Sequence, residues 1–201
     1  MTSLENEYKW YSAETNKLKS LITEISIIEP KYQKFIVEMI LIRVFYNFEN
    51  YVSIISKKVA TGCIYSDSTS PVLLLKSSSI TKSDNLFKNY GRNKPLFNLN
   101  WATAKEIKGN VSSIIDPADN FVQVIDRNGT LLDEIRRIRN RIAHNNPVSR
   151  SNFYIVVRRY YGAIVNHITP GTLLLTNRKN PILINQYLSK LDIVARDLIK
   201  K

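Results

Sequence analysis

The chain has one cysteine in 201 residues, Cys63, which excludes an internal disulfide and a zinc site built on thiolates. It lacks an apolar run long enough to span a bilayer: its greasiest segment, 35–46, is interrupted by Glu38 and Arg43. The N-terminus, Met1-Thr-Ser-Leu-Glu-Asn-Glu, carries neither the basic region nor the apolar core of a signal peptide, so the expectation is a cytoplasmic protein with no membrane partner. The six glycines are scattered without the spacing of a phosphate-binding loop, and no Ser-His-Asp arrangement stands out. The most telling shortage is local. Between Glu134 and Asp192 there is no Asp or Glu, while Arg136, Arg137, Arg139, Arg141, Arg150, Arg158, Arg159, Arg178, Lys179 and Lys190 all fall inside that stretch.

The formal net charge of +12 is therefore skewed: residues 131–201 hold 13 of the 29 basic residues but only 4 of the 17 acidic ones. A skewed balance is an electrostatic footprint, with nucleic acid its commonest partner and an anionic membrane surface second. Seven of those cations are arginines between Arg136 and Arg159, and a guanidinium forks onto phosphate oxygens better than an ammonium does. A charged fraction of 23% and a hydrophobic fraction of 44% suit one well-buried domain over 1–201.

Periodicity predicts an all-α, up-and-down bundle of about five or six helices. A first helix covers the opening residues, with Leu4, Tyr8, Tyr11, Leu18, Ile22 and Ile25 on one side, and stops at Glu29-Pro30. A second runs over 31–60 on a stripe of Ile36, Ile40, Val44, Phe48, Tyr51, Ile55 and Val59, widened by Phe35, Met39, Ile42, Phe45 and Val52. A long irregular connection, rich in Ser, Asn and Pro, occupies 62–100 with room for one short helix. Further helices are predicted over 101–115 and 118–125. Thr130 is expected to cap a helix running to 144, Ser151 one running to 167, and a last helix follows Pro181. Leu173-Leu174-Leu175 is the main strand-like run.

The helix after Thr130 carries Arg139-Asn-Arg-Ile-Ala-His144, one of two histidines in the chain, followed by Asn145 and Asn146. At about 100° per residue, Leu131, Ile135, Ile138 and Ile142 share one face and are predicted to meet the core. Asn140 and His144 fall almost opposite, with Arg137 beside them, so the imidazole is expected to be exposed or covered only from outside this packing layer, a second subunit being the obvious cover. Arg139 and His144 stand about 140° apart on an ideal helix. Either the helix loosens before His144, or the Arg139 side chain wraps round, or the arginine of one copy complements the histidine of another. On spacing alone Arg137 is the better neighbour for His144, which leaves open whether Arg137 or Arg139 holds phosphate.

Arginine, a polar residue, three more residues and then histidine on a late helix of a small bundle resembles the signature of the HEPN superfamily. Together with the long helix reading Ile-Leu-Ile-Arg-Val-Phe-Tyr-Asn-Phe-Glu-Asn-Tyr over 40–51, the chain is most similar to stand-alone HEPN proteins of the RiboL-PSP type. The resemblance implies a metal-independent endoribonuclease with a site formed across a homodimer, in a toxin–antitoxin or phage-defence setting where a neutralising partner occurs. It implies Arg139 and His144 as the catalytic pair and Asn140 as the residue that orients the site. Arg136, Arg137, Arg141, Asn145, Arg158 and Arg159 are the expected RNA-binding side chains.

The chemistry agrees with that expectation. RNA carries its own nucleophile, the 2′-hydroxyl, so cleavage needs its proton removed, the 5′-oxygen protonated and phosphorane charge stabilised. An imidazole with an ordinary pKa of about 6.5 transfers protons in either direction, and a guanidinium stays charged beside phosphate. No carboxylate cluster offers a metal site, so neither metal nor cofactor is expected; Asp133 and Glu134 read as a cap and a dipole partner of the helix start. Glu49 is a weaker accessory candidate for orienting an arginine. His167, at a predicted helix end, suits the helix dipole without further purpose. Tyr154, Tyr160 and Tyr161 interleave with Arg158 and Arg159, where bases stack or side chains simply pack. The competing reading is a non-catalytic RNA- or DNA-binding adaptor using the basic face alone, and His144 separates the two, since a binder has no need of it.

Overall fold

The computed structural model describes residues 3–178 and 180–200 and is all-helical. Among the described residues there are nine α-helices: α1 (Leu4–Glu24), α2 (Pro30–Ala60), α3 (Ile80–Asn89), α4 (Ala104–Val111), α5 (Asn120–Arg127), α6 (Gly129–Ala143), α7 (Pro147–Tyr161), α8 (Pro170–Leu174) and α9 (Leu183–Asp197). One turn of 3-10 helix, Ile25–Ile27, follows α1, and the sole extended pairing among the described residues is an antiparallel bridge between Leu73 and Ile115.

The nine helices exceed the five or six expected: α3 takes the room left for a short helix in 62–100, α4 falls within the helix expected over 101–115, and α8 is the added element. Ser79 closes the start of α3 by accepting from the Lys82 N–H, and Thr103 does the same for α4 through Glu106. Of the strand-like leucines, Leu173 and Leu174 belong instead to α8 and Leu175 caps its end; Thr169 accepts from the Thr172 N–H and Pro170 takes the first helical position. Two predicted caps move. The helix expected to start at Thr130 begins at Gly129, because the Asn128 carbonyl already accepts from the Leu132 N–H. The cap of α7 is Asn146 rather than Ser151; Pro147 starts the helix, although Asn-Pro reads in sequence as a stop. That helix ends at Gly162, whose φ of 76° closes it well before residue 167.

Packing divides the described chain into two compact units. The first comprises 3–12, 47–132 and 192–200. Its core stacks Tyr11 on Tyr51 at 5.0 Å between ring centres and sets Tyr11 edge-on to Phe48 at 6.1 Å. The Tyr51 hydroxyl donates to the Ala195 carbonyl at 2.7 Å, and burial holds that phenol well above its usual range. Asp119 caps α5 and also accepts from the Tyr65 hydroxyl and the Val72 N–H, which ties the irregular segment after α2 to α5.

The second unit comprises 13–46 and 133–191 and contains every arginine of the motif. Its buried side chains include Val37, Leu41, Val44 and Phe45 from α2, Ile135 and Ile138 from α6, Phe153 and Val157 from α7, and Tyr187 and Leu188 from α9. Phe35 and Met39, expected to widen the buried stripe of α2, are exposed. At the start of α8 the Gly171 N–H donates to Glu38 at 2.7 Å. A methyl group at Gly171 would lie 2.7 Å from the Lys34 carbonyl oxygen, so glycine is what permits this approach of α8 to α2.

Candidate functional site

On α6 the buried face is Leu132, Ile135 and Ile138; Leu131 and Ile142, expected in the same stripe, are only half-buried. Glu134, which lies about 40° from Ile138 around the helix, is buried with them. It is not a dipole partner of the helix start. Its two oxygens accept from the buried Tyr187 hydroxyl at 2.6 Å and from Arg159 at 2.8 Å, which joins α6 to α7 and α9. Burial raises the Tyr187 phenol well above its ordinary pKa, and burial together with neighbouring Glu134 pushes Tyr160 up to about 12. The Glu134 hydrogen bond and charge hold Arg159 still more firmly protonated. Sequence reasoning missed this network, although an acid within the apolar arc of a helix is a legible signal for one.

The basic residues differ in how far they are already engaged. Arg136 and Arg137 both reach Asp133, at 2.8 and 2.6 Å, and Arg137 also meets the Asn152 side-chain oxygen at 3.4 Å. Burial pushes the Asp133 carboxyl up, but the two guanidiniums outweigh it and leave the pKa below the usual value. Arg159 is committed to Glu134. Arg158 is exposed, and among the described residues no carboxylate pairs with it. Arg141 donates to the Asn145 side-chain oxygen at 2.9 Å. Lys179 lies outside the described residues. Glu49 is partly buried on α2 in the first unit.

His144 is the first residue beyond α6, and the corner it occupies is tightly built. Its N–H donates to the Asn140 carbonyl at 2.9 Å, continuing the helical pattern, while its own carbonyl accepts from the Ser149 hydroxyl. Ser149 and Asn146 then cap each other at the start of α7. The backbone is thus held from both helices while the side chain stands exposed, and among the described residues no hydrogen bond engages the imidazole. Arg139 donates to the Asn140 side-chain oxygen at 3.1 Å, and its guanidinium carbon lies 5.8 Å from the centre of the Phe45 ring on α2. The structure therefore brings Arg139 to Asn140 and Arg141 to Asn145, but no described contact joins either arginine to the His144 ring.

His167 is not at a helix end. It lies between α7 and α8 with a φ of 73°, an uncommon backbone conformation for a residue with a side chain. Among the described residues no group of three or more His, Cys, Asp or Glu side chains could hold a metal ion, and no helix is long and apolar enough to cross a membrane. Comparison with known proteins finds no family model, no curated protein and no solved structure that matches this chain.

Proposed function

We propose that this chain is a metal-independent endoribonuclease of HEPN type, and that it works as a homodimer with a site shared between two copies. The observation that carries the reading is His144: an exposed imidazole on a backbone fixed by two helices, with Arg139 and Asn140 one turn earlier and no carboxylate between residues 135 and 191. One His144 takes the proton from the 2′-hydroxyl as the O2′–P bond forms. The other copy's His144 protonates the 5′-oxygen as the P–O5′ bond breaks. The products are a 2′,3′-cyclic phosphate and a 5′-hydroxyl, with Arg139 opposing the negative charge on the phosphorane and Asn140 positioning it. An exposed imidazole on each copy gives the second subunit a role, because a single ring cannot act as acid and base at the same moment. The resemblance implies a toxin–antitoxin or phage-defence setting in which a neutralising partner occurs, and the N-terminal sequence carries the expectation of a cytoplasmic enzyme.

A second reading, a non-catalytic RNA- or DNA-binding adaptor, draws on the Arg139 guanidinium, which meets Asn140 and Phe45 rather than the imidazole. Incubation of the purified protein with total RNA in EDTA separates the two. Cleavage that leaves cyclic-phosphate ends, is lost in His144→Ala and is blocked by 2′-deoxy substitution at the scissile position supports the nuclease. RNA binding without cleavage, or unimpaired cleavage by His144→Ala, replaces it with the adaptor or with another mechanism.

A further inference from the structure

Within the second unit a cavity of about 390 Å³ opens where the end of α6 and the start of α7 face the segment leading into α8. Arg141, Arg150 and Tyr154 line one part of it, and His167, Ile168 and Pro170 another. Its size falls in the range of about 300–1,000 Å³ usual for small-molecule sites, well beyond what a lone inorganic ion fills.

The chemistry of the wall is one-sided. Two arginines and a histidine line the cavity, and its lining contains no carboxylate. Among the described residues no acid pairs with Arg141 or Arg150; the single contact of the Arg141 head, with Asn145, is to a neutral amide and leaves most of its donors unspent. Arg150 and Tyr154 are four residues apart on α7, so a charge and a ring project from the same face. Ile168 and Pro170 add an apolar wall. His167 is held by a left-handed backbone, a conformation that persists where the surroundings impose it and that often marks a binding site.

We propose that this cavity is a binding site for a phosphomonoester carried on a flat heterocycle: Arg141 and Arg150 take the phosphate, His167 adds a donor, and the ring lies against Tyr154 and the apolar wall. That is the chemistry of a single nucleotide, supplied either free or as one unit of a strand. The site requires no catalysis by His144 and stands whether or not the chain cleaves RNA.

Calorimetric titration of the full chain with the four nucleoside 5′-monophosphates, adenosine, inorganic phosphate and a hexauridylate tests it. At least one monophosphate is expected to bind more tightly than adenosine and than inorganic phosphate. Arg150→Gln and His167→Gly are each expected to weaken binding by about tenfold or more, the scale of a charged hydrogen bond. Glycine suits the backbone at 167, so thermal stability is expected to hold in that variant. Lys105→Gln, which removes a charge from an exposed position on α4 in the first unit, is expected to leave affinity unchanged. Hexauridylate binding more tightly than uridine monophosphate, with the same sensitivity to Arg150→Gln, identifies a strand as the source; equal or weaker binding identifies the free nucleotide. No monophosphate binding at millimolar concentration, inorganic phosphate binding as tightly as any nucleotide, or equal losses in Lys105→Gln and Arg150→Gln overturns the proposal. Because the titration reads binding and not cleavage, its failure is distinct from failure of the nuclease reading.

Discussion

Replacing Tyr187 by phenylalanine tests what holds the motif helix in place. The ring is fully buried, and its hydroxyl donates at 2.6 Å to Glu134, itself only 7% exposed. Phenylalanine keeps the ring packing and removes one donor from a buried acid. A hydrogen bond to a charged group contributes about 1.5–3 kcal/mol net; the Tyr160 hydroxyl, 3.3 Å from that of Tyr187, is placed to compensate in part, so about 2 kcal/mol is expected. In a chain of this length each kcal/mol moves the melting temperature by about 2–4 °C, which gives a drop of about 4–8 °C. Arg159→Gln breaks the other contact of Glu134, but the Arg159 side chain is 55% exposed. Solvent-screened pairs of that kind are worth about 0.2–1 kcal/mol, so the shift should stay below about 4 °C. Differential scanning calorimetry of the two variants and their double mutant measures both effects and their coupling. If Arg159→Gln costs more than Tyr187→Phe, the ion pair rather than the buried hydroxyl fastens Glu134, and the reasoning fails.

Three further outcomes are expected. Gly171→Ala puts a methyl group against the Lys34 backbone and should cost about 1–3 kcal/mol by urea unfolding, whereas unchanged stability would show that α8 shifts at no cost. Burial and Glu134 raise the Tyr160 pKa from 10.0 to about 12, so its folded-state contribution is intact below pH 10 and is lost as the pH climbs from 10 to about 12; an absorbance titration of wild type against Tyr160→Phe should show one late-ionising phenol and a shallower alkaline loss of stability in the variant. Arg158→Gln should weaken RNA binding and reduce its salt slope by about 1, while Arg159→Gln should change the slope less, because Glu134 already neutralises that guanidinium; equal slopes would contradict this division.

Long-range periodicity was the legible part of this chain. The second helix was expected over 31–60 and runs from Pro30 to Ala60, because a wide apolar stripe between a proline and a glycine leaves little choice. Short elements were hidden where a few capping atoms decide them. Asn146-Pro147 reads as an end and is a beginning, and the three leucines at 173–175 look extended until Thr169 and Pro170 are counted as a cap. The exposure of His144 followed from angular projection alone, since a residue opposite the buried stripe has nothing of its own unit to pack against. Glu134 and His167 were misread for a shared reason. Each place is set by an atom outside the local apolar pattern: the Tyr187 hydroxyl on α9 fixes Glu134, and the left-handed Gly162 ends α7 before the chain reaches His167.

The corner after α6 lengthens the stretch of sequence on which the proposed site depends. The six residues from Arg139 to His144 are short enough to recur by chance, but here the histidine is fixed by atoms that follow it: the Ser149 hydroxyl on its carbonyl, and Asn146 capping the helix that carries Ser149. A chain with the arginine and the histidine but a floppy exit from the helix would present the same letters with a wandering imidazole. On the proposed reading the site depends on the whole string Arg-Asn-x-x-x-His-x-Asn-Pro-x-Ser, residues 139–149, in which the second half holds the backbone of the histidine in the first.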